Sequence, residues 1–301
     1  MQRLSIVFAI LFCAGCTTTA GLDDNARSVS AGDFLKLSQG YVHYQLEGPE
    51  TGETVVLVHG FSTPMFIWER TAPALTRAGF RVLSYDLYGR GYTDRPDVAY
   101  NEDLFDTQLM ELLDALGIRE PVNLMGLSMG GAIATIFTAR HPEKVRRLGL
   151  VAPAGFPVKL PFTAKLVRIP GVGNLLMRFL GEKTIKKAAA RSFCDQSQVP
   201  LFLAKFEQQL AYDGYKRALL RTLKDFNLND QAPAYEKVGK LEKPTLLIWG
   251  RKDVTVPFAH SEKVMSMIPH TRFHPISGAA HVPHYEKHTL VSPLIVAFLQ
   301  K

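Results

Sequence analysis

The sequence predicts an α/β fold, a mostly parallel central sheet flanked by helices with a helical cap inserted into it. Three observations carry this expectation. Short apolar runs alternate with segments of helical periodicity, the pattern of a sheet covered on both faces. The pentapeptide Gly126-Leu127-Ser128-Met129-Gly130 joins a strand-like run to a helix-like one. The alternation stops between about 153 and 238, where the chain reads as helical, and resumes at Thr245. The 301 residues suffice for one large domain with an insertion. With 47% hydrophobic and 21% charged residues, the composition is that of a globular chain with a sizeable core.

The first residues are read as targeting sequence. Met1-Gln2-Arg3 is a short basic start, and Leu4 to Phe12 is an apolar stretch too short to span a bilayer comfortably. Cys13-Ala14-Gly15-Cys16 closes it, so residues 1–15 are expected to be a signal peptide. Ala14-Gly15-Cys16 resembles the bacterial lipobox, with Cys13 where leucine is usual, which implies lipidation at Cys16. Ordinary signal cleavage and an uncleaved anchor are the alternatives. Thr17, rather than aspartate, follows the cysteine and points to the outer membrane, facing the periplasm. Residues 16–38 are small and polar and read as a tether. Of the three cysteines only Cys194 lies beyond this region, so no disulfide framework is expected and Cys194 reads as an idle thiol.

Strands are expected at Tyr41–Leu46, Thr54–Val58, Arg81–Tyr85, Val122–Met125, Arg147–Val151, Thr245–Trp249 and Thr271–Ile276. Leu104–Leu116 has helical spacing. The core therefore divides into 39–152 and 239–301, with 153–238 as the cap.

The junction at Ser128 has the features of a nucleophile elbow, a strand, a sharp turn and a helix. Gly126 and Gly130 let strand and helix approach closely. The helix N-terminus beneath the hydroxyl favours negative charge. A serine hydroxyl needs a base and a carboxylate to orient that base. His281, in the thin loop Gly278-Ala279-Ala280-His281, is the candidate base, chosen over His270, His274, His284 and His288. Asp253, just past the Thr245–Trp249 run, is the candidate carboxylate, chosen over Asp225 and Asp230. An oxyanion needs backbone donors. The Met129 amide and, from the loop His59-Gly60-Phe61, the Phe61 amide are expected to supply them, with Gly60 allowing a sharp turn. His59 is read as holding that loop by hydrogen bonds. Asp86 and the glycines of Gly89-Arg90-Gly91 read as a structural loop lining the pocket, since the segment does not continue as a phosphate-binding motif. No His, Asp and Cys cluster has metal-ligand spacing, so neither metal nor cofactor is expected.

Taken together, His59-Gly60-Phe61, Asp86-x-x-Gly89-x-Gly91, Gly126-Leu127-Ser128-Met129-Gly130-Gly131, Gly250-x-x-Asp253 and Gly278-x-x-His281 resemble the α/β-hydrolase superfamily. Within it the chain is similar to bacterial carboxylesterases and monoacylglycerol lipases. The resemblance implies the α/β-hydrolase fold, the chain order Ser, Asp, His, and ester hydrolysis through an acyl-enzyme without cofactor. Ser128 argues against the epoxide hydrolases and haloalkane dehalogenases, whose nucleophile is aspartate. The C–C bond hydrolases of ring-fission products share the serine. They usually carry asparagine before it and tryptophan soon after the histidine, where this chain has Leu127 and Val282-Pro283-His284. Cofactor-free haloperoxidases share the elbow as well. A non-catalytic binding lipoprotein is the reading from a different class.

The net charge of +7 is local. Between 158 and 191, Lys159, Lys165, Arg168, Arg178, Lys183, Lys186, Lys187 and Arg191 face Glu182 alone. The interleaved Phe162, Leu166, Ile169, Val172, Leu175, Leu176, Phe179 and Leu180 read as a helix packed on a core, or as a lid meeting an anionic lipid surface. A membrane surface and an ester or acyl-lipid substrate are the expected partners, with no nucleic acid.

Overall fold

The computed structural model describes residues 21–28, 30–158, 173, 175, 177 and 180–301. The signal peptide 1–15, Cys16, and most of the basic and apolar positions between 159 and 179 lie outside the described residues.

Eight strands form one sheet: β1 (Asp33–Leu37), β2 (Gly40–Glu47), β3 (Thr54–Val58), β4 (Arg81–Tyr85), β5 (Val122–Leu127), β6 (Val145–Val151), β7 (Thr245–Gly250) and β8 (Arg272–Ile276). Their order is β1-β2-β4-β3-β5-β6-β7-β8. The strand β2 runs antiparallel to β1 and β4, and every other pairing is parallel. This is the α/β-hydrolase fold, a mostly parallel sheet flanked by helices.

The central strands are apolar on both faces because both are covered. In β3, Val56 and Val58 join the core beneath helices Glu102–Ala115 and Met129–Arg140, while Val55 and Leu57 join the core on the opposite face with Trp68 and Phe298. Helix Met129–Arg140 is buried from Met129 to Ala139, which places the residue before it, Ser128, on a rigid support. The chain leaves β3 for β4 on one side and returns to β5 on the other. The C-terminal ends of β3 and β5 therefore flank the crevice where open α/β sheets gather their sites.

Two boundaries differ from the sequence reading. Strand β1 falls inside the segment 16–38 read as a tether. Its Leu37 pairs with Gly40 across the turn Ser38-Gln39, and Leu35 and Leu37 pack on the core. Polar neighbours hide so short a strand. The segment read as cap ends earlier than 238. Helix Ala232–Lys240 lies in the core, with Tyr235 and Val238 buried and the Tyr235 hydroxyl donating to the Ala154 carbonyl at 2.7 Å. Helices Gly181–Ala190, Val199–Phe206 and Tyr215–Asp225 form the described part of the insertion between β6 and β7. Among the described residues no helix is long and apolar enough to cross a membrane.

Candidate active site

Ser128 follows β5 with φ 55° and ψ −118°, a left-handed conformation that costs a residue with a side chain about 1–3 kcal/mol. The surroundings enforce it. The Ser128 N–H donates to the Val151 carbonyl at 2.9 Å, and the Ser128 carbonyl accepts from the Ala154 and Gly131 amides at 2.9 Å each. The flanking glycines permit the approach. A Cβ on Gly126 would lie 2.1 Å from the Gly130 carbonyl oxygen, and one on Gly130 would lie 2.3 Å from that of His59. Gly60 does not occupy the left-handed region. A Cβ there would meet Ser128 Cβ at 3.4 Å, so what this position marks is closeness to the serine rather than a sharp turn.

Asp253 follows β7 and His281 follows β8, on the same edge of the sheet as Ser128. His281 Nδ1 lies 2.8 Å from Asp253 Oδ2. Asp253 Oδ1 accepts from the Thr255 and Val256 amides at 2.8 and 3.0 Å, so the carboxylate is fixed before it meets the imidazole. Both side chains are buried, Asp253 at 6% and His281 at 5% exposure, which strengthens their mutual attraction. Ser128 Oγ makes no hydrogen bond among the described residues, so the pair formed in the structure is His281 with Asp253. Nucleophile-to-base bonds often tighten only around a substrate.

Among the described residues neither the Phe61 nor the Met129 N–H donates a hydrogen bond. The Met129 amide directly follows Ser128, and the Phe61 amide follows Gly60, where a Cβ would lie 3.4 Å from Ser128 Cβ. His59 lies beneath that loop. Its Nε2 accepts from the Leu87 amide at 2.9 Å, so its proton sits on Nδ1, which donates to the Gly60 carbonyl at 2.8 Å. Burial lowers its pKa to about 4 and keeps it neutral. Asp86 is buried too. Its Oδ1 accepts from the Met65 amide at 2.8 Å, and its Oδ2 faces His43 Nδ1 at 2.7 Å.

Of the competing residues, His284 is buried 4.3 Å from the Trp68 ring, and burial, with His281 nearby, lowers its pKa to about 3. Asp225 accepts from the Tyr100 amide at 3.0 Å at the end of an insertion helix. The Asp230 carbonyl accepts from Asn227 Nδ2 in the loop beyond it. Two side chains at the site were not singled out from sequence. Arg90 is fully buried and donates from Nε to the Phe61 carbonyl at 2.9 Å, from Nη1 to the Tyr88 carbonyl and from Nη2 to Thr222 Oγ1. Glu286 is buried behind His281. The signal for Arg90 was its place within Gly89-Arg90-Gly91; Glu286 carried none, because its partners are backbone amides. Among the described residues no group of His, Cys, Asp or Glu is arranged to hold a metal ion.

The arrangement has the parts for acyl transfer: a hydroxyl on a strained turn, an imidazole oriented by a carboxylate, and two unengaged amides. A family model described as alpha/beta hydrolase fold matches residues 53–288, and the chain belongs to that family. It is a hydrolase. Among curated proteins it is 29% identical over 288 residues to a 2-hydroxy-6-oxononadienedioate/2-hydroxy-6-oxononatrienedioate hydrolase of Paraburkholderia xenovorans (strain LB400), covering 90% of this chain and 96% of that one. Among solved structures it is similar to the enol-lactonase from Burkholderia xenovorans LB400, with a TM-score of 0.77 and 22% identity over 89% of this chain and 100% of that one, a likeness of fold. It is also similar to a membrane phospholipase A, a bacterial virulence factor, with a TM-score of 0.70 and 25% identity over 89% of this chain and 85% of that one.

Proposed function

We propose that this chain is a serine hydrolase that cleaves carboxylic esters, acyl lipids such as monoacylglycerols among them, through an acyl-enzyme on Ser128. His281 takes the serine proton, Asp253 orients and stabilises the imidazolium, and the Phe61 and Met129 amides hold the oxyanion. His281 then activates water to release the acid. The observation that carries this reading is the 2.8 Å His281–Asp253 pair on the sheet edge that presents Ser128.

A second reading has its own support. The similarity to the nonadienedioate hydrolase extends over 90% of the chain and favours C–C bond hydrolysis of a ring-fission product by the same residues. Leu127 before the serine and Val282-Pro283-His284 after the histidine favour the ester. The two differ in leaving group, an alkoxide against a stabilised carbanion.

One panel separates them. Short- and long-chain p-nitrophenyl esters, a monoacylglycerol and a vinylogous ring-fission diketone are assayed with wild type and Ser128→Ala. Esters are expected to turn over and Ser128→Ala to lose nearly all of that while remaining folded. Higher kcat/KM for the diketone than for every ester would establish the second reading. Unchanged turnover in Ser128→Ala would reject Ser128 as nucleophile in both readings, whereas no turnover of any substrate together with no labelling of Ser128 by a fluorophosphonate would leave a binding protein.

The proposal includes a place in the cell. Cys16 is lipidated after removal of 1–15 and holds the enzyme at the outer membrane facing the periplasm, where a tether raises the local concentration of acyl substrates. Intact-mass measurement tests this: a mature chain beginning at Cys16 with no added lipid mass rejects it.

A further inference from the structure

Glu286 lies five residues past His281, in the short helix Pro283–Glu286, and is 4% exposed. Its carboxylate joins two segments. Oε2 accepts from the Ala280 amide at 2.9 Å, directly before His281, and Oε1 accepts from the Asp195 amide at 2.5 Å, in the insertion. The Glu286 carbonyl accepts from Gln198 Nε2 at 3.3 Å, and the His281 N–H donates to the Ser192 carbonyl at 3.0 Å. Arg70 completes the seam, donating to Gln198 Oε1 at 2.7 Å and lying 4.0 Å over the Tyr285 ring. No ion pair to Glu286 forms among the described residues, so these amides are what holds its charge.

We propose that Glu286 is a positioning residue that fastens the His281 loop to the insertion segment 192–198, so that the imidazole is in register for catalysis only while that segment is seated. This rests on the reading of His281 as the base. The physical reason is the cost of an unpaired buried carboxylate oxygen. If segment 192–198 lifts away, Glu286 either loses the Asp195 donor or follows it and drags the Ala280 amide, and with it His281. Movement of the insertion is thereby transmitted to the base, and small displacements of a catalytic group are costly.

The test uses the full chain and an ester substrate. Asp195 has φ −88° and ψ 99°, near what proline adopts, so Asp195→Pro removes the N–H with little backbone change. Asp195→Ala is its control, losing the side chain but keeping the donor. Asp195→Pro and Glu286→Ala are expected to lower kcat by about tenfold or more with KM nearly unchanged, and Asp195→Ala, which shares with Asp195→Pro the loss of the side-chain bonds to Ser197 and Gln198, to lower it distinctly less than Asp195→Pro. Wild-type kcat in folded Asp195→Pro, or a change confined to KM, would overturn the proposal. Should Glu286→Ala fail to fold, Asp195→Pro decides alone. His281→Ala separates the two levels: if it is inactive while Asp195→Pro is normal, the clamp fails and the base stands. If His281→Ala keeps wild-type turnover, the underlying reading fails.

Discussion

Among the described residues Arg90 is a cation buried without a carboxylate partner, held by two carbonyls, one threonine hydroxyl and the faces of Phe61, Phe105 and Tyr100. Burial lowers its pKa to about 10, so it remains charged at neutral pH, and its Nε fixes the carbonyl of Phe61, whose amide is the proposed oxyanion donor. Arg90→Met leaves the Phe61 and Tyr88 carbonyls without their donor. The expected result is a kcat lowered by about tenfold to a hundredfold with a smaller change in KM, in steady-state ester kinetics. Equal kcat in a folded variant would remove Arg90 from the oxyanion loop's support. Gly126→Ala is expected to destabilise by about 3 kcal/mol or more in denaturant unfolding, since its Cβ would meet backbone that cannot retreat. At this scale the sequence was informative where a residue's type is its chemistry. Ser128, Asp253 and His281 stood out by type and order. Arg90 and Glu286 act through distant backbone atoms, and nothing local in the sequence announces such partners.

Among elements, the link from β2 to the loop after β3 has a pH dependence of its own. His43 on β2 faces acceptors at both ring nitrogens, Asp86 Oδ2 at 2.7 Å and the Ala31 carbonyl at 2.8 Å, which requires an imidazolium. Burial penalises that charge, but the Asp86 hydrogen bond and charge outweigh it and raise the His43 pKa. For Asp86 burial again opposes the charge, and the His43 bond and charge with the Met65 amide lower its pKa. A raised histidine contributes fully below its unfolded value near 6.5 and loses that contribution as pH rises through the folded pKa. The lowered aspartate contributes above its unfolded value of 3.8 and loses this as pH falls through its folded pKa. His43→Gln is therefore expected to flatten the decline in melting temperature above pH 6.5. A decline of wild-type steepness in that variant would show that His43 is not its source. Seven of the eight strands were legible as apolar or alternating runs. The exception, β1, is short and bounded by small and polar residues, and it is fixed by pairing with β2 rather than by a long pattern of its own. For Ala232–Lys240 the sequence specifies helicity but not the neighbour it packs on, which is why its periodicity alone does not separate it from the cap.

For the whole molecule, the uneven charge becomes a surface. On helix Gly181–Ala190 and just past it, Lys183, Lys187 and Arg191 are exposed and form no ion pair among the described residues, whereas Lys186 is held by Glu182 and Glu207, and Lys205 by Glu69. Leu175, Leu180 and Leu201 of the same insertion are 60%, 56% and 58% exposed, which is far from the usual place of leucine. Exposed apolar side chains and cations without ion pairs are the groups that the proposed contact with an anionic lipid surface would use. Each cation near such a surface contributes about 1 kcal/mol, so replacing Lys183, Lys187 and Arg191 with glutamine should weaken binding on the order of a hundredfold. The measurement is co-sedimentation with vesicles of phosphatidylcholine and phosphatidylglycerol, made in a Cys16→Ser background so that no anchor masks the contact. Binding should fall with added salt, because exposed charges are screened within about 10 Å at 0.1 M, and should be weak on phosphatidylcholine alone. Binding that the triple substitution leaves unchanged would take the insertion off the membrane and leave any tether as the means of attachment.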